Sequence, residues 1–206
     1  MDTTPTIKAV QAFLGLTVDG IAGAKTWAAI ADALGLENEL VRPAPLPDTG
    51  DLVDPRSESN IDSLLPVVRP LARQLIREAN EAVSPKTVKI TSGYRTYSEQ
   101  ATLYQQGRNG NPGRIVTNAP PGYSNHNFAL AFDVTLFDEN GSPIWESGLY
   151  QTIGKIGRGL GLLWGGDWDH SDEPHFEYRP EWAADLGESQ ALAEYRERQK
   201  QGLALV

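Results

Sequence analysis

Two residues in the stretch SNHNFALAFD, residues 124–133, are of types that could bind a metal ion together. His126 stands seven residues before Asp133, and Asp133 lies in a run of aromatic and aliphatic residues. A carboxylate in such a run is expected to be buried, and a buried charge needs a strong partner. A metal ion held by His126 and Asp133 is one candidate for that partner.

A shared metal ion requires a bend in the chain between these two residues. Imidazole nitrogen and carboxylate oxygen each lie about 2.0–2.2 Å from zinc, so the two ligand atoms must lie about 3 Å apart. Seven residues of straight strand would separate the Cα atoms by about 23 Å. Two helical turns would place both residues on one face, about 10.5 Å apart along the axis. A strand that follows a bend at residues 127–129 is favoured by the β-forming residues Phe128, Phe132, Val134 and Thr135.

The chain has two further histidines, His170 and His175, either of which could complete the site. His175 follows a proline and begins an aromatic segment, whereas His170 lies among acidic residues in a predicted loop; we therefore favour His175. Two imidazoles and one carboxylate leave a fourth position open, which is typical of catalytic zinc sites. Asp172 is well placed to act as a general base, with Glu173 as its competitor.

Composition excludes several classes of protein and of site. The 206 residues include no cysteine, which excludes disulfides and cysteine-ligated zinc. The formal net charge of −9 argues against a nucleic-acid partner, because binding phosphates requires a basic surface. No apolar run approaches ~18 residues, so no membrane span is expected. The first residues lack the basic and apolar pattern of a leader, so a classical signal peptide is not predicted.

Three parts of the chain differ in residue pattern. Residues 1–36 carry two short helical patterns on either side of an Asp-Gly turn, the second around Trp27 and Ile30. Residues 37–60 are rich in proline and aspartate, which is typical of a linker. Residues 61–206 are long enough to form the main domain. Helix and strand patterns are interspersed there without regular βαβ spacing, which predicts an α+β fold.

Periodicity and capping patterns predict the elements of the main domain. Strands are predicted at residues 87–91, 128–137 and 175–178, and helices at residues 66–82, 97–107, 148–162 and 188–201. Thr96 and Glu99 fit a capping box for the second of these helices, while Pro70 is expected to cost the first a hydrogen bond or to kink it. The expected architecture is a small antiparallel sheet with flanking helices that hold the metal site.

Three motifs together resemble those of the zinc D-alanyl-D-alanine carboxypeptidases and dipeptidases and of the phage L-alanyl-D-glutamate endopeptidases. SNHNFALAFD resembles their Ser-x-His-x-x-Gly-x-Ala-x-Asp signature. DEPHF, residues 172–176, resembles a second signature with an acid three residues before the last histidine. ITSGYRTYSEQATLYQQGR, residues 90–108, resembles their upstream segment. The resemblance spans residues 61–178, and the motifs occur in the same order.

This resemblance implies a zinc cofactor and a role for individual residues. The zinc ligands would be His126, Asp133 and His175. Asp172 would be the general base and acid, Arg95 would hold the substrate peptide or its oxyanion, and Ser124 would assist in binding. The family pattern has glycine where this chain has Ala129, at the predicted bend, and glycine tolerates φ values that alanine does not.

The first part of the chain resembles a different family. VQAFLGLTVDGIAGAKTWAAI, residues 10–30, is similar to small helical peptidoglycan-binding modules with an Asp-Gly-x-x-Gly-x-x-Thr core, with Ala24 in place of the usual proline. Together the two resemblances imply a peptidase that hydrolyses the stem peptide of bacterial peptidoglycan, as an L-Ala-D-Glu endopeptidase or a D-Ala-D-Ala carboxypeptidase.

The expected setting is that of a monomeric endolysin, which reaches the periplasm or cell wall through a holin pore or another non-classical route. A secreted antibacterial effector, a non-catalytic wall-binding protein and a zinc-stabilised signalling or adhesion domain are the alternatives.

Several of these residues also have purely structural interpretations. Arg95 could be a surface ion-pair partner, and His170 is expected to be a solvated loop residue. The aromatic residues Trp145, Trp164 and Trp168 are expected in the core rather than at a sugar-binding surface. The acidic residues of the last helix are expected to form a solvated face.

Overall fold

The computed structural model of the chain describes residues 4–16, 18, 26, 29, 30, 33, 52–145 and 147–206. These residues form an α+β fold, as predicted. The α-helices are α1 (Thr4–Phe13), α2 (Pro55–Ile61), α3 (Arg69–Val83), α4 (Tyr97–Gln105), α5 (Leu149–Gly159) and α6 (Glu188–Gln201). The strands are β1 (Thr87–Ser92), β2 (Ala131–Phe137), β3 (Pro143–Ile144), β4 (Leu163–Trp164) and β5 (His175–Glu177).

The N-terminal part contains the first of its two predicted helices, α1. Gln11 is buried on this helix and donates a hydrogen bond of 3.1 Å from its side-chain amide to the hydroxyl of Thr26. Phe13, the last residue of this helix, is 88% exposed. Trp27, around which the second helix was predicted, lies outside the described residues.

The predicted linker is shorter than its composition suggested, because residues 55–60 belong to helix α2. Asp54 caps this helix by accepting hydrogen bonds from the backbone N–H groups of Arg56 and Ser57. Glu58 then binds the guanidinium of Arg73 on α3 at 2.7 Å. Asp54 and Pro55 therefore cap and begin a helix that packs on the main domain. Residues 37–51 lie outside the described residues.

Helix α3 provides much of the core and is not broken by its proline. The helix begins at Arg69, so Pro70 lies in its first turn, where no intrahelical hydrogen bond is lost. The predicted start at residue 66 was therefore too early, and the predicted cost of Pro70 is absent. The buried face of α3 consists of Leu71, Ala72, Leu75, Ile76, Ala79 and Val83.

The sheet is antiparallel, with the strand order β1-β2-β5-β4 and with β3 pairing with the end of β2. The predicted strand at residues 128–137 begins three residues later, at Ala131, because Phe128 belongs to a short 3-10 helix. β2 is central, and the end that carries Asp133 is flanked by β1 and β5. The predicted site residues Asp133 and His175 therefore lie side by side in this sheet.

Two of the glycines in helix α5 allow the sheet to lie close against this helix. A Cβ atom on Gly154 would lie 2.4 Å from the ring of Trp164, and one on Gly157 would lie 2.3 Å from the ring of Phe176. These rings belong to β4 and β5 and are buried. The glycines thus fix the distance between α5 and the strand that begins with His175. Among the described residues, no helix is long and apolar enough to cross a membrane.

Candidate metal centre

Sheet register brings Asp133 and His175 together although 42 residues separate them in the chain. Asp133 on β2 pairs directly with His175 on β5. Directly opposed residues in an antiparallel pair project to the same face of the sheet. The Oδ1 atom of Asp133 therefore lies 3.2 Å from Nδ1 of His175.

A bend brings His126 to the same point. His126 lies on the 3-10 helix Asn125–Phe128, and Ala129 ends this helix in the left-handed conformation, with φ 55° and ψ 27°. The predicted bend at residues 127–129 is confirmed, and it does require a positive φ. This chain adopts the conformation with alanine, at a cost of roughly 1–2 kcal/mol relative to a residue without a Cβ. The result is a separation of 3.2 Å between Nε2 of His126 and Oδ1 of Asp133.

These three side chains form a donor set that fits zinc. One ligand atom from each of His126, Asp133 and His175 lies within 4.8 Å of the other two. Tetrahedral zinc with bonds of about 2.0–2.1 Å would place its ligand atoms about 3.3 Å apart, close to the two observed separations. Two imidazole nitrogens and one carboxylate oxygen are also ligands that zinc commonly takes in proteins. The described part of the chain thus offers three ligands and an open fourth position.

Each imidazole is oriented by a hydrogen bond from its other ring nitrogen. Nδ1 of His126 lies 2.7 Å from the carbonyl oxygen of Gly93, so Nδ1 carries the proton and Nε2 faces Asp133. A Cβ on Gly93 would lie 2.6 Å from the carbonyl of Asn60, so only glycine fits beneath α2 at this point. Nε2 of His175 lies 3.2 Å from the carboxylate of Glu177, which leaves Nδ1 to face Asp133.

The pKa values of these side chains show how strongly the groups interact. Burial alone would lower the pKa of His175, but hydrogen bonds to Asp133 and Glu177 raise it to about 10. Burial alone would raise the pKa of Asp133, but His126 and His175 hold it well below its usual range. A carboxylate shared between two imidazoles is thus kept ionised, which is the form that binds a metal.

A cleft of about 500 Å³ opens over this cluster, and its lining includes Asp172, Arg95 and Ser124 as well as the three clustered side chains. Asp172 is held by its backbone, which accepts a hydrogen bond from the N–H of His175 at 3.0 Å and donates one to the carbonyl of Gly165 at 2.9 Å. Desolvation by the surrounding protein, and then the charge of Asp133, raise the pKa of Asp172 above its usual range.

Glu173, the competitor of Asp172, is directed elsewhere. Its carboxylate accepts a hydrogen bond from Gln151 at 3.1 Å, and its backbone carbonyl accepts one from the indole N–H of Trp164 at 2.7 Å. Of the two acids before His175, Asp172 is the one that lines the cleft.

Arg95 lies at the cleft rather than on the outer surface. Its guanidinium donates to the side chains of Gln100 at 2.9 Å and Ser92 at 3.0 Å, and Nη2 lies 3.5 Å from Asp133. Gln100 is fully buried and also donates 2.7 Å to the carbonyl of Ala119, so it ties Arg95 to the loop that forms one wall of the cleft. A register shift in β1 between Ile90 and Ser92 places Ser92 beside this guanidinium.

Sequence reasoning missed a buried polar network behind His175. Glu177 accepts hydrogen bonds from Asn125 at 2.6 Å and Arg179 at 3.0 Å, and both donors also bind Glu188 at the start of α6. Glu188 is half exposed, in line with the expected solvated face of the last helix, but it also lines the cleft and takes part in this network. Glu177 could have been found, because a residue two positions after His175 on a strand shares its face.

The tryptophan expectations were right only in part. Trp164 is buried in the core, whereas Trp145 and Trp168 are 61% and 42% exposed. Trp168 lines the cleft, with its ring centre 5.0 Å from that of His175. His170 is exposed, as predicted. The cleft therefore has an aromatic wall next to the ligand histidine that hydropathy patterns did not reveal.

Comparison with known proteins identifies the two parts of the chain separately. Residues 117–178 match the D-alanyl-D-alanine carboxypeptidase family, and residues 2–30 match a family described as putative peptidoglycan binding domains. The chain is 38% identical over 128 residues to the peptidoglycan L-alanyl-D-glutamate endopeptidase CwlK of Bacillus subtilis, covering 57% of this chain and 74% of the relative.

Two solved structures are also similar. The L-Ala D-Glu endopeptidase ChiX of Serratia marcescens has a TM-score of 0.46 and 24% identity, over 62% of this chain and 89% of that one. The vancomycin resistance D,D-pentapeptidase VanY in complex with Zn(II) has a TM-score of 0.43 and 18% identity, over 69% of this chain and 81% of that one.

The identity to the Bacillus relative, together with the match over both signature motifs, defines this chain as an enzyme of the peptidase class. It belongs to the D-alanyl-D-alanine carboxypeptidase family, and it carries an N-terminal segment of the peptidoglycan-binding type.

Proposed function

We propose that the protein is a zinc-dependent peptidase that hydrolyses the stem peptide of bacterial peptidoglycan between L-Ala and D-Glu. The observation that carries this proposal is the convergence of His126, Asp133 and His175 at the floor of a cleft that Asp172 and Arg95 also line. The bond is suggested by the Bacillus relative, an L-alanyl-D-glutamate endopeptidase with 38% identity to this chain.

His126, Asp133 and His175 would hold the zinc, which would supply a Lewis acid able to polarise a peptide carbonyl and to make a water molecule more acidic. Asp172 takes the proton from the attacking water and returns it to the leaving amine, which needs a carboxylate with a pKa above the ordinary value. Its fixed backbone hydrogen bonds to His175 and Gly165 hold this group beside the cluster.

Arg95 and Ser124 bind the substrate. The guanidinium of Arg95 is held by Gln100 and Ser92, so it presents a fixed positive charge to the cleft. That charge stabilises the oxyanion that forms on the carbonyl oxygen, or holds a carboxylate of the peptide. Ser124 precedes the 3-10 helix of His126 and offers a hydroxyl at the cleft wall.

The N-terminal segment would bring this site to its polymer. Residues 2–30 match the peptidoglycan-binding family, which supports a division into a wall-binding module at residues 1–36 and a peptidase domain after the linker. Holding an enzyme near an insoluble substrate raises the effective substrate concentration. Action in the periplasm or cell wall follows from the substrate, while the endolysin role and the route of delivery stay predictions.

Purified cell-wall sacculi test the proposal directly. The full-length protein, loaded with zinc, should release fragments with new amino termini at D-Glu, as identified by mass spectrometry of a defined muropeptide. Replacement of Asp172 by asparagine should abolish release while zinc remains bound. Replacement of His126 by alanine should remove the zinc.

Two outcomes would point elsewhere. Release of terminal D-Ala would make the protein a D-alanyl-D-alanine carboxypeptidase, the description of the family that matches residues 117–178. Sacculus binding without any release, in wild-type protein with zinc bound, would make it a non-catalytic wall-binding protein and would refute the proposal.

A further inference from the structure

We infer that Glu177 is the residue that positions His175 for the metal, and that the last helix, through Glu188, holds Glu177 in place. This inference rests on the metal site of the proposed function. It gives helix α6, which lies outside the residues matched by the peptidase family, a role in metal binding.

Glu177 is buried, and all of its hydrogen-bond partners named below are donors. It ends strand β5, and its side chain is 1% exposed. One carboxylate oxygen accepts from Nε2 of His175 at 3.2 Å and from the amide of Asn125 at 2.6 Å. The other accepts from Arg179 at 3.0 Å. A buried carboxylate is tolerated in this place because three donors satisfy it.

Its hydrogen bond decides which nitrogen of His175 can bind a metal. An imidazole that keeps its proton on Nε2 has its lone pair on Nδ1, and Nδ1 is the atom 3.2 Å from Asp133. Without an acceptor at Nε2, the ring is free to take the other tautomer or to turn away. Loss of such a partner behind a ligand histidine typically weakens metal binding by about 10–100-fold.

The carboxylate of Glu188 holds that of Glu177 in position through hydrogen-bond donors that the two share. Glu188 begins α6 and accepts hydrogen bonds from the same two donors, Asn125 at 2.7 Å and Arg179. Asn125 and Arg179 therefore each bridge Glu177 and Glu188. Asn125 also directly precedes His126, so the network contacts the segments of both ligand histidines. A carboxylate in the first turn of α6 is further favoured by the helix dipole.

The alternative is that these ion pairs serve only to attach α6 to the sheet. Both interpretations predict some loss of folding stability when a carboxylate is removed. Only the positioning role predicts that zinc affinity falls in protein that remains folded, and that excess zinc restores activity.

The test compares three glutamine variants of the full chain. Glutamine keeps the size of glutamate but replaces one acceptor oxygen with an NH₂ group. At one of the contacts of residue 177, two hydrogen-bond donors would then face each other. Glu177→Gln should bind zinc about 10–100-fold more weakly. Glu188→Gln, which acts through two bridging residues, should bind it about threefold to tenfold more weakly. Glu194→Gln is the control, because Glu194 lies on the same helix and pairs with Arg198 at the surface.

Zinc affinity is measured by competition with a chelating dye, after circular dichroism has shown that each variant is folded. Turnover of a defined muropeptide at limiting zinc should follow the affinities and should recover at excess zinc. Equal affinity of wild type, Glu177→Gln and Glu188→Gln would overturn the inference while leaving the proposed function intact.

Failure of the wild-type protein to bind zinc would instead refute the proposed function, and the inference with it. Should Glu177→Gln not fold, Glu188→Gln decides alone, because Glu188 is half exposed and its replacement spares the core.

Discussion

Replacing Gly165 by alanine should disable the site without touching any of its functional side chains. Gly165 lies beneath the turn that carries Asp172 and His175, and its carbonyl accepts the backbone N–H of Asp172 at 2.9 Å. A Cβ at this position would lie 2.5 Å from the carbonyl oxygen of Asp172 and 3.0 Å from Cβ of His175. The turn and the new methyl group cannot both stay in place.

The required displacement sets the size of the effect. Carbon and oxygen in contact lie about 3.3–3.6 Å apart, so the turn must move by roughly 0.8 Å or more relative to Gly165. A misplacement of about 1 Å in a catalytic group can cost about 10²-fold in rate. We therefore expect kcat/KM of Gly165→Ala to fall about 10–100-fold, and zinc to bind more weakly because His175 moves too.

Gly159→Ala is the matched control for this substitution. Gly159 lies at the end of α5, and a Cβ there would meet nothing within 4 Å. This variant should retain kcat/KM within about twofold, since a surface substitution of this kind alters stability by no more than about 1 kcal/mol. Both variants are assayed on the same defined muropeptide with saturating zinc, and their zinc affinities are measured in parallel.

The steric argument fails if Gly165→Ala keeps wild-type kcat/KM and zinc affinity. A crystal structure of that variant with the turn from Asp172 to His175 unmoved would refute it as well.

Three further results are expected. Ala129→Gly should raise the free energy of unfolding by about 0.5–1 kcal/mol in urea titrations. The reason is that relief of ~1–2 kcal/mol of left-handed backbone strain exceeds the ~0.4–1 kcal/mol entropic cost of glycine. A loss of stability would show that the strain is absent. Gln100→Met should raise KM about tenfold at unchanged zinc affinity, because Arg95 loses an orienting acceptor; an unchanged KM would contradict that role. The stability of metal-free protein should fall as pH rises from 6.5 towards 10. The carboxylate neighbours of His175 outweigh the effect of burial and raise its pKa to about 10, so the folded state favours the protonated ring. Zinc-loaded protein should lack this slope, since zinc binds the neutral imidazole, and a flat profile for metal-free protein would contradict the raised pKa.

Residue types and local patterns were enough to predict three side chains that the fold brings together. With no cysteine and three histidines in the chain, the possible ligand sets were few. The spacing from His126 to Asp133 demanded a bend, and the structure places that bend at Ala129. The capping box of Thr96 and Glu99 was also evident from spacing, because both residues lie within one helical turn.

Local patterns were weaker where tertiary packing decides burial. Trp164 and Trp168 are four residues apart, yet one is in the core and the other lines the cleft. The prolines and aspartates of residues 37–60 suggested a linker, but Asp54 and Pro55 cap and begin a helix whose Glu58 pairs with Arg73 on α3. Residue composition does not reveal which side chains will contact one another in the folded protein.

What the sequence by itself determined is the set of candidate residues: two histidines, an aspartate between them in chain order, an acid three residues before the second histidine, and strands for the aspartate and that histidine. Which nitrogen of each imidazole faces the metal position was decided only by the tertiary structure. For His126, that choice depends on the carbonyl of Gly93, 33 residues away; for His175, it depends on the strand neighbour Glu177, whose carboxylate is held by Asn125, 52 residues away. Hydrogen bonds between residues 33 to 63 positions apart exist only once the chain has folded, because their energy depends on distances that local propensity does not set.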